Sequence, residues 1–315
     1  MALDNLVVTA PPHLRSKEQT AVAMRDVLIA LAPITIAALV AFTYNALFNI
    51  ALGVGSCMLF EWLARTARKK KANLADGSAA VTGLLLALLF PARIQWLNLI
   101  IASFVAIVIV KELMGGLGRN IFNPALFGFV FALTCSGLLA SWTGSLGFLK
   151  AGYDGVQSAT PLVYIKQGLE SSGPSYLSLL FANLGGAISE VGAFWVLLGG
   201  AYLLYRKVIG WVIPVAILAT VFVLAYIVGS DGLYNILAGG VMLGAFFMAT
   251  DWVTSPMNTW GQVVYGLIIG VCVVIIRVFL APAGAVAYSI LIGNAFVPLL
   301  DTVFKPKRFG EVAAA

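Results

Sequence analysis

The chain has 315 residues, of which 61% are hydrophobic and 10% are charged, and its formal net charge is +6. Soluble domains carry roughly 25% charged residues, so this composition excludes an ordinary globular protein and predicts a polytopic membrane protein. The lone His13 and the dispersed Cys57, Cys135 and Cys272 do not have metal-ligand or disulfide spacing, so we expect no haem, zinc or cysteine-ligated cluster.

Hydropathy predicts an all-α fold with about ten transmembrane helices, since a spanning helix needs about 20 apolar residues. The apolar runs lie at roughly 25–43, 46–64, 77–91, 95–111, 123–140, 187–205, 209–228, 234–250, 261–280 and 284–300. The third and eighth runs are short, contain glycine and lead into Pro91 and Pro256. Short or broken helices usually line a site, because their free backbone groups need protein or water partners.

Most of the 19 lysines and arginines fall on the cytoplasmic side if the N-terminus is cytoplasmic, as topology rules favour. The basic run Arg68–Lys71 is then a topology anchor near anionic lipid, and no nucleic-acid partner is expected. The predicted organisation is a cytoplasmic N-terminal arm (1–24), a first five-helix repeat (25–140), an extracytoplasmic loop (141–186), a second five-helix repeat (187–304) and a cytoplasmic tail (305–315).

The two halves share an order of residues. Gly83, Pro91, Trp96, Lys111 and Asn123 follow one another in the first half, and Gly244, Pro256, Trp260, Arg277 and Asn294 in the second. Five helices per half is an odd number, so the halves would insert in opposite senses, with a site at their interface. Chance similarity between apolar segments is the alternative.

Two polar stretches border the apolar runs. The first stretch is Gly115–Ala125. Its glycines allow a ligand to approach the backbone closely, and the amides of Asn120 and Asn123 suit the edge of a flat heterocycle. Asn123 precedes Pro124 and could equally cap a helix. The second stretch is Ala249–Pro256. There Asp251 lies among hydroxyl-bearing residues that could hold a cation or the polar edge of a cofactor. A role as a helix cap facing the cytoplasm explains Asp251 equally well.

The third polar stretch is the central loop segment Asp154–Leu162. The hydroxyl of Thr160 has no neighbouring histidine to activate it, so a catalytic role is not expected. Another enzyme could esterify this oxygen, and the bond would then tether a cofactor that does the chemistry. On composition alone, Thr160 is an ordinary loop threonine.

Gly118–Ala125, Ser158–Leu162 and Ala249–Met257 together resemble segments of RnfD, the D subunit of Rnf electron-transport complexes. They are similar, more distantly, to the B subunit of the sodium-pumping NADH:quinone oxidoreductases. The resemblance runs from about Arg25 to Phe309. It implies inverted five-helix repeats like those of urea-channel-type proteins, in the cytoplasmic membrane of a bacterium or archaeon.

The resemblance also implies two flavins. FMN would be joined to Thr160 through a phosphoester installed by a separate flavin transferase, and a second, noncovalent flavin, riboflavin, would bind near Asn120 and Asn123. The candidate cofactor-binding residues are Asp154, Ser158, Ala159, Thr160, Arg119, Asn120, Asn123 and Asp251. Related attachment sites often read Asp-x-x-Ser/Thr-Gly-Ala-Thr-x-Ser/Thr. Gln157, Ser158 and Leu162 depart from that pattern.

The resemblance further implies a place in a complex that passes electrons between reduced ferredoxin and NAD and couples the transfer to movement of Na⁺ or H⁺. The resemblance implies an electron-transfer subunit that is not catalytic alone. Its partners would be an iron–sulfur subunit and a second covalent-FMN subunit, since the chain has no dinucleotide fingerprint or cysteine cluster of its own. A small-solute channel or transporter of urea-channel-like fold and a scaffold for other subunits remain open alternatives. The transported ion, the electron direction and the coupling residues are not determined by the sequence.

Overall fold

The computed structural model describes residues 20–69, 76–135, 161–181, 186–280 and 282–305. Within these ranges the chain is helical and has no β-strand, apart from one isolated bridge between Pro91 and Ala187. The α-helices are α1 (Thr20–Ala67), α2 (Ser78–Leu89), α3 (Trp96–Phe104), α4 (Pro124–Cys135), α5 (Pro161–Gln167), α6 (Tyr176–Phe181), α7 (Ala193–Tyr205), α8 (Val212–Ile227), α9 (Gly232–Leu237), α10 (Val241–Leu243), α11 (Thr259–Phe279) and α12 (Ala285–Val303). Two π-helical stretches, Val105–Leu113 and Gly244–Met248, continue α3 and α10. Short 3₁₀ turns span Glu170–Ser172 and Ile188–Val191.

Four helical segments in the described part of the chain are long and apolar enough to cross a membrane: α1, Trp96–Leu113, α11 and α12. Four shorter apolar helices accompany them: α2, α4, α7 and α8. Large apolar side chains such as Ile36, Leu47 and Val223 are more than half exposed. Exposed apolar faces on many helices are what lipid contact requires, so the prediction of an all-α membrane protein is confirmed.

Helix α1 contains a kink at Thr43, whose φ of 50° is non-helical. A β-branched residue rarely adopts positive φ, because its side chain clashes with the backbone there. The kink falls between the predicted runs 25–43 and 46–64. A helix of 48 residues would be about 72 Å long, more than twice the ~30 Å hydrocarbon core of a bilayer.

The predicted run 234–250 is interrupted. Helix α9 ends at Leu237, and α10 begins at Val241 after Gly239 and Gly240, whose φ values are 66° and 70°. Glycine adopts positive φ without steric cost, so these two residues turn the chain between the helices. The π-helical continuation of α10 ends at Met248. Asp251 therefore lies in the loop that follows, whereas the hydropathy pattern placed it at the helix end.

Close helix packing depends on glycines in the first half of the chain. A Cβ atom on Gly83 would lie 2.5 Å from the carbonyl oxygen of Gly53, and one on Gly128 would collide with the carbonyl oxygen of Ala102. Small residues let helix backbones approach closely where lipid removes the hydrophobic drive for association. These contacts hold α1 against α2, and α4 against α3.

The described part of the predicted loop 141–186 contains short helices. Helices α5 and α6 lie within it, and Leu162, Ile165 and Leu179 pack with Tyr234 and Ala238 in a small cluster separate from the main core. This cluster fixes the segment that follows Thr160 against α9.

Candidate functional site

A large cavity of about 310 Å³ lies between α1, α2 and the loops before α4 and α11. Its walls are mainly apolar, with Met24, Val27, Leu85, Phe246 and Phe247 among them. Its polar groups include Ser78, Lys111, Asn120, Asn123, Thr250 and Asp251. A concave, mainly apolar site of this size with a few convergent polar groups is typical of a small-molecule binding site.

Both π-helical stretches border this cavity. Lys111 belongs to Val105–Leu113, and Phe246 and Phe247 belong to Gly244–Met248. A π-helical turn widens the helix and redirects side chains, and such turns occur frequently at functional sites. The two walls of the cavity are therefore shaped by local departures from α-helical geometry.

Lys111 is buried beside the cavity and paired. Its Nζ donates to Glu61 Oε2 at 2.9 Å and to Ser78 Oγ at 2.6 Å. Glu61 is also paired with Arg65. This arrangement satisfies a lysine and a glutamate that would otherwise be costly inside a protein. It ties α1, α2 and the end of the α3 extension together.

Glu112, the next residue, pairs with bases at the end of α1. It lies 3.1 Å from Arg65 Nε and 3.6 Å from Arg68 Nη1. These ion pairs offset the cost of burying the Glu112 carboxylate.

Asn120 is brought to the cavity by a glycine-rich turn. Gly115, Gly116 and Gly118 have φ values of 124°, 96° and 90°, which residues with a side chain rarely adopt. The turn leaves Asn120 only 5% exposed, with Nδ2 donating to the carbonyl oxygen of Phe122 at 3.2 Å.

Asn123 caps α4. Its Oδ1 accepts from the backbone N–H groups of Ala125 and Leu126 at 3.1 and 3.3 Å, and its Nδ2 donates to the carbonyl oxygen of Met248 at 3.3 Å. The predicted cap with Pro124 at the first helical position is therefore present. Asn123 also lines the large cavity.

Asp251 is half-buried at the cavity wall. Its carboxylate accepts from the Thr254 hydroxyl at 3.3 Å and from the Val253 backbone, so it caps its own turn. The N-cap of α11 is Asn258. Burial raises the pKa of Asp251, and these two hydrogen bonds oppose the rise. Asp251 makes no ion pair with the bases of the described ranges. The structure thus gives it both a turn-capping contact and a place at the cavity.

Arg119, another of the predicted residues, does not line this cavity. Arg119 is exposed and its side chain packs over Gly115. Asp154, Ser158, Ala159 and Thr160 lie outside the described residues. No group of three or more His, Cys, Asp or Glu side chains that could hold a metal ion occurs in the described ranges.

The segment that follows Thr160 does not line the large cavity. A Cβ atom on Gly239 would contact both Leu162 and Arg277, so these residues lie together near the C-terminal end of α11. At the other end of α11, Asn294 joins Tyr265 to the Thr254 carbonyl oxygen beside Asp251. The helix rises about 26 Å from Trp260 to Arg277, close to the ~30 Å hydrocarbon thickness.

Lys111 is the cavity residue that sequence reasoning missed, because a base after an apolar run was assigned to the cytoplasmic flank. The available signal was Glu61, an acid at the end of another apolar run that needed a partner. Arg277 was likewise counted as a flanking base, and it is fully buried.

Comparison with known proteins identifies relatives over nearly the whole chain. The model of the NQR2, RnfD, RnfE family matches residues 7–310. The D subunit of the Na(+)-translocating ferredoxin:NAD(+) oxidoreductase complex of Acetobacterium woodii is 40% identical over 312 residues, covering 97% of this chain and 96% of the relative. The D subunit of the proton-translocating ferredoxin:NAD(+) oxidoreductase complex of Clostridium ljungdahlii is 38% identical, with 96% of each chain covered.

A third relative, the D subunit of the ion-translocating oxidoreductase complex of Shewanella denitrificans, is 35% identical and covers 98% of this chain and 99% of its own length. The predicted resemblance to RnfD, and so to a subunit of an ion-translocating oxidoreductase, is confirmed. With a family model matched along most of its length and relatives at 35–40% identity, this chain belongs to the NQR2, RnfD, RnfE family.

Proposed function

We propose that this chain is the flavin-carrying membrane subunit of an ion-translocating ferredoxin:NAD⁺ oxidoreductase complex. The observation that carries the proposal is its similarity, over nearly full length, to relatives named as the D subunits of such complexes. Its partners would be the other subunits, including an iron–sulfur subunit and a second covalent-FMN subunit, because the electron path must reach ferredoxin and NAD⁺. The similarity leaves the ion open, since the relatives at 40% and 38% identity are named for sodium and for protons.

The first cofactor of this proposal is FMN joined through a phosphoester to Thr160, within the motif that includes Asp154, Ser158 and Ala159. Support comes from the motif and from the firm attachment of the segment immediately after it. Helix α5 begins at Pro161 and is buried through Leu162 and Ile165 against α9. A tethered cofactor would therefore be held close to this end of α11.

The second proposed cofactor is a noncovalent flavin in the large cavity. The walls fit such a ligand, because Phe246 and Phe247 supply aromatic surface and Asn120 and Asn123 supply amides suited to the polar edge of a flat ring. Lys111 would place a positive charge at the boundary of the same space. A flavin held there would supply a reversible electron carrier, while these residues orient it and exclude water.

We also propose that the chain forms two inverted five-helix repeats with ten spans, with α1 counted as two. Each half places a left-handed glycine, Gly77 or Gly240, directly before its short helix. In each half, a buried base near the end of the long helix also lies close to the start of the short helix. Lys111 donates to Ser78, and Arg277 donates to the carbonyl oxygens before α10. In this arrangement both termini are cytoplasmic and the Thr160 segment faces the opposite compartment of a bacterial or archaeal cytoplasmic membrane.

The covalent flavin is tested on a denaturing gel. The chain is co-expressed with a flavin transferase, and an ultraviolet-fluorescent band is expected for the wild type and absent for Thr160→Ala. The matched control is Thr143→Ala, which removes another hydroxyl from the predicted 141–186 loop and should keep the band. A dark wild-type band, or fluorescence that survives in Thr160→Ala, would exclude attachment at this residue.

The second flavin is tested by denaturing Thr160→Ala protein and measuring the released cofactor. Val81 lines the cavity, so Val81→Trp should abolish release by filling the space. Val215→Trp adds the same ring to an exposed face of α8 and should leave release unchanged. Equal release from both variants would place the flavin elsewhere.

Asp251 is the proposed residue for coupling electron transfer to ion movement, because an added electron near the cavity would attract a cation in a medium of low dielectric constant. Asp251→Asn should reduce ion transport by the complete complex in vesicles more than it reduces electron transfer. Unchanged ion transport would remove Asp251 from this role. Flux of a small neutral solute through the flavin-free chain alone would favour the channel alternative.

A further inference from the structure

A second, smaller cavity of about 40 Å³ lies on the far side of Met248 from the large one. Phe247 lines the large cavity, whereas Met248 lines the small one. The volume is about that of one water molecule, whose share of the liquid is roughly 30 Å³. Leu162, which follows Thr160 by two residues, forms part of its wall.

Glu190 is the acidic residue in this wall. It belongs to the 3₁₀ turn Ile188–Val191, which is fixed by a hydrogen bond from Ile188 N to the Phe90 carbonyl oxygen at 2.9 Å. Gly186 packs so closely on the carboxyl group that a Cβ atom there would collide with Oε2. The side chain is therefore held in place, although part of the residue reaches the surface.

The Oε2 atom of Glu190 is enclosed and has no hydrogen-bond partner among the described residues. The charged group that faces it is Arg277 of α11. The ion pairs within 4 Å in the described structure do not include one between Arg277 and Glu190. The helices α2, α4 and α12 contribute only apolar side chains to this cavity, and Ser189 contributes the other polar side chain.

Arg277 is occupied elsewhere. Its Nη1 donates to the Asn235 carbonyl oxygen at 2.6 Å, and its Nη2 donates to those of Ala238 and Gly239 at 2.8 and 3.0 Å. The remaining Nε has no partner in the described structure. The guanidinium of Arg277 thus stabilises the turn before α10. It attracts the Glu190 carboxylate electrostatically but makes no direct hydrogen bond to it.

One oxygen of this carboxyl group is enclosed without a partner, although the group has a backbone hydrogen bond at Ala187. Ionising such a group is costly, and binding a proton reduces the cost. We propose that the small cavity is a proton-binding site, in which the carboxyl group of Glu190 reversibly takes up one proton. The positive charge on Arg277 favours the ionised carboxylate, so it opposes proton binding and makes release of the proton easier. Consistent with this geometry, burial raises the pKa of Glu190 to about 7, while the charge on Arg277 and the backbone hydrogen bond at Ala187 act in the opposite direction.

The site requires no cofactor and is separate from the large cavity. Because Leu162 of α5 shares the cavity wall, the charge on Glu190 acts on the start of α5. The site is therefore a place where proton uptake can respond to charge at this end of the protein.

The experiment is an infrared pH titration of the full-length chain in lipid nanodiscs. The wild type should show a protonated-carboxyl C=O band that disappears as the pH rises through the Glu190 pKa of about 7. Glu190→Gln should lack this band, because it mimics the neutral side chain without a titrating proton. The matched control is Glu170→Gln, which removes another glutamate from a second 3₁₀ turn and should keep the band.

Thermal stability provides a second readout. The raised pKa contributes stability that is fully present below the ordinary glutamate value of 4.5 and is lost as the pH rises through about 7. The melting temperature of the wild type should fall over this window relative to that of Glu190→Gln. If Glu190→Gln does not fold, Glu190→Asp replaces it and should shift the frequency of the band.

Three results would overturn the proposal. One is the absence of a carboxyl band that titrates near neutral pH in the wild type. Another is a band that persists unchanged in Glu190→Gln or Glu190→Asp. The third is a band that NaCl removes at constant pH, which would show that the cavity binds a sodium ion.

Discussion

The backbone N–H of Asn123 donates to Oδ1 of Asn294 at 3.2 Å, across 171 positions of the sequence. The Nδ2 of Asn294 in turn donates to the Thr254 carbonyl oxygen at 2.9 Å and lies 2.8 Å from the Tyr265 hydroxyl. Asn294 is fully buried. One amide thus connects the start of α4, the loop beside Asp251 and α11.

Asn294→Ala should destabilise the chain by about 3 kcal/mol, because it leaves several buried groups unpaired at about 1–3 kcal/mol each. The measurement is unfolding of the purified protein in detergent by a chaotrope or by heat. Thr302→Ala, on the exposed side of the same helix, is the control and should change stability by no more than about 0.5 kcal/mol. Equal effects would show that the Asn294 bonds are not important for stability.

The pair of Lys111 and Glu61 should behave as a unit. Lys111→Met removes a base bonded at 2.9 Å to a fully buried carboxylate, and breaking such a pair costs about 3–5 kcal/mol. The double variant Lys111→Met with Glu61→Gln should lose less stability than the sum of the two single variants. A double-mutant cycle in the same unfolding assay measures this coupling. Additive losses would contradict direct pairing.

Two glycines in α1 should respond to alanine in opposite directions. A Cβ atom on Gly53 would lie 2.8 Å from the Gly83 carbonyl oxygen, whereas one on Gly55 would meet nothing within 4 Å. Gly53→Ala should therefore cost about 1–3 kcal/mol by forcing α1 from α2. Gly55→Ala should stabilise by about 0.5–1 kcal/mol through helix propensity. Losses of similar size at both positions would mean that the contact with α2 is unimportant.

Local signals in the sequence anticipated several features that the structure contains. The pair Asn123–Pro124 indicated a helix start, and the cap is formed with the expected hydrogen bonds. The interval between the first two apolar runs coincides with the kink at Thr43. Each of these features depends on residues close to it in the chain, so the sequence pattern contains the relevant information.

Features that depend on distant partners were not predictable in this way. A base after an apolar run has the same pattern whether it faces water or a buried acid, and only the fold places Lys111 next to Glu61, 50 positions earlier. Glu190 falls within the predicted apolar run 187–205 and was not singled out, because its enclosure arises from Gly186 and from helices far along the chain. The π-helical turns that shape the large cavity have no sequence signature comparable to a cap.

Asp251→Asn should change how stability depends on pH. Burial raises the pKa of Asp251 above its ordinary value of 3.8, so the native state binds this proton more tightly than the unfolded state does. The resulting stability is fully present below pH 3.8 and is lost as the pH rises through the raised pKa. Asn keeps an oxygen acceptor for the Thr254 hydroxyl and carries no charge, so the variant should become more stable relative to the wild type as the pH rises.

The measurement is the melting temperature of both proteins in detergent across a pH series, with Asp301→Asn as the matched control. Asp301 accepts a hydrogen bond from Met257 N at 3.1 Å and does not line the large cavity, and asparagine preserves that acceptor. The difference between Asp251→Asn and the wild type should shrink toward acid pH and widen toward neutral pH. A constant difference would mean that Asp251 is equally solvated in the folded and unfolded chains, because only a difference in proton affinity between the two states produces a slope.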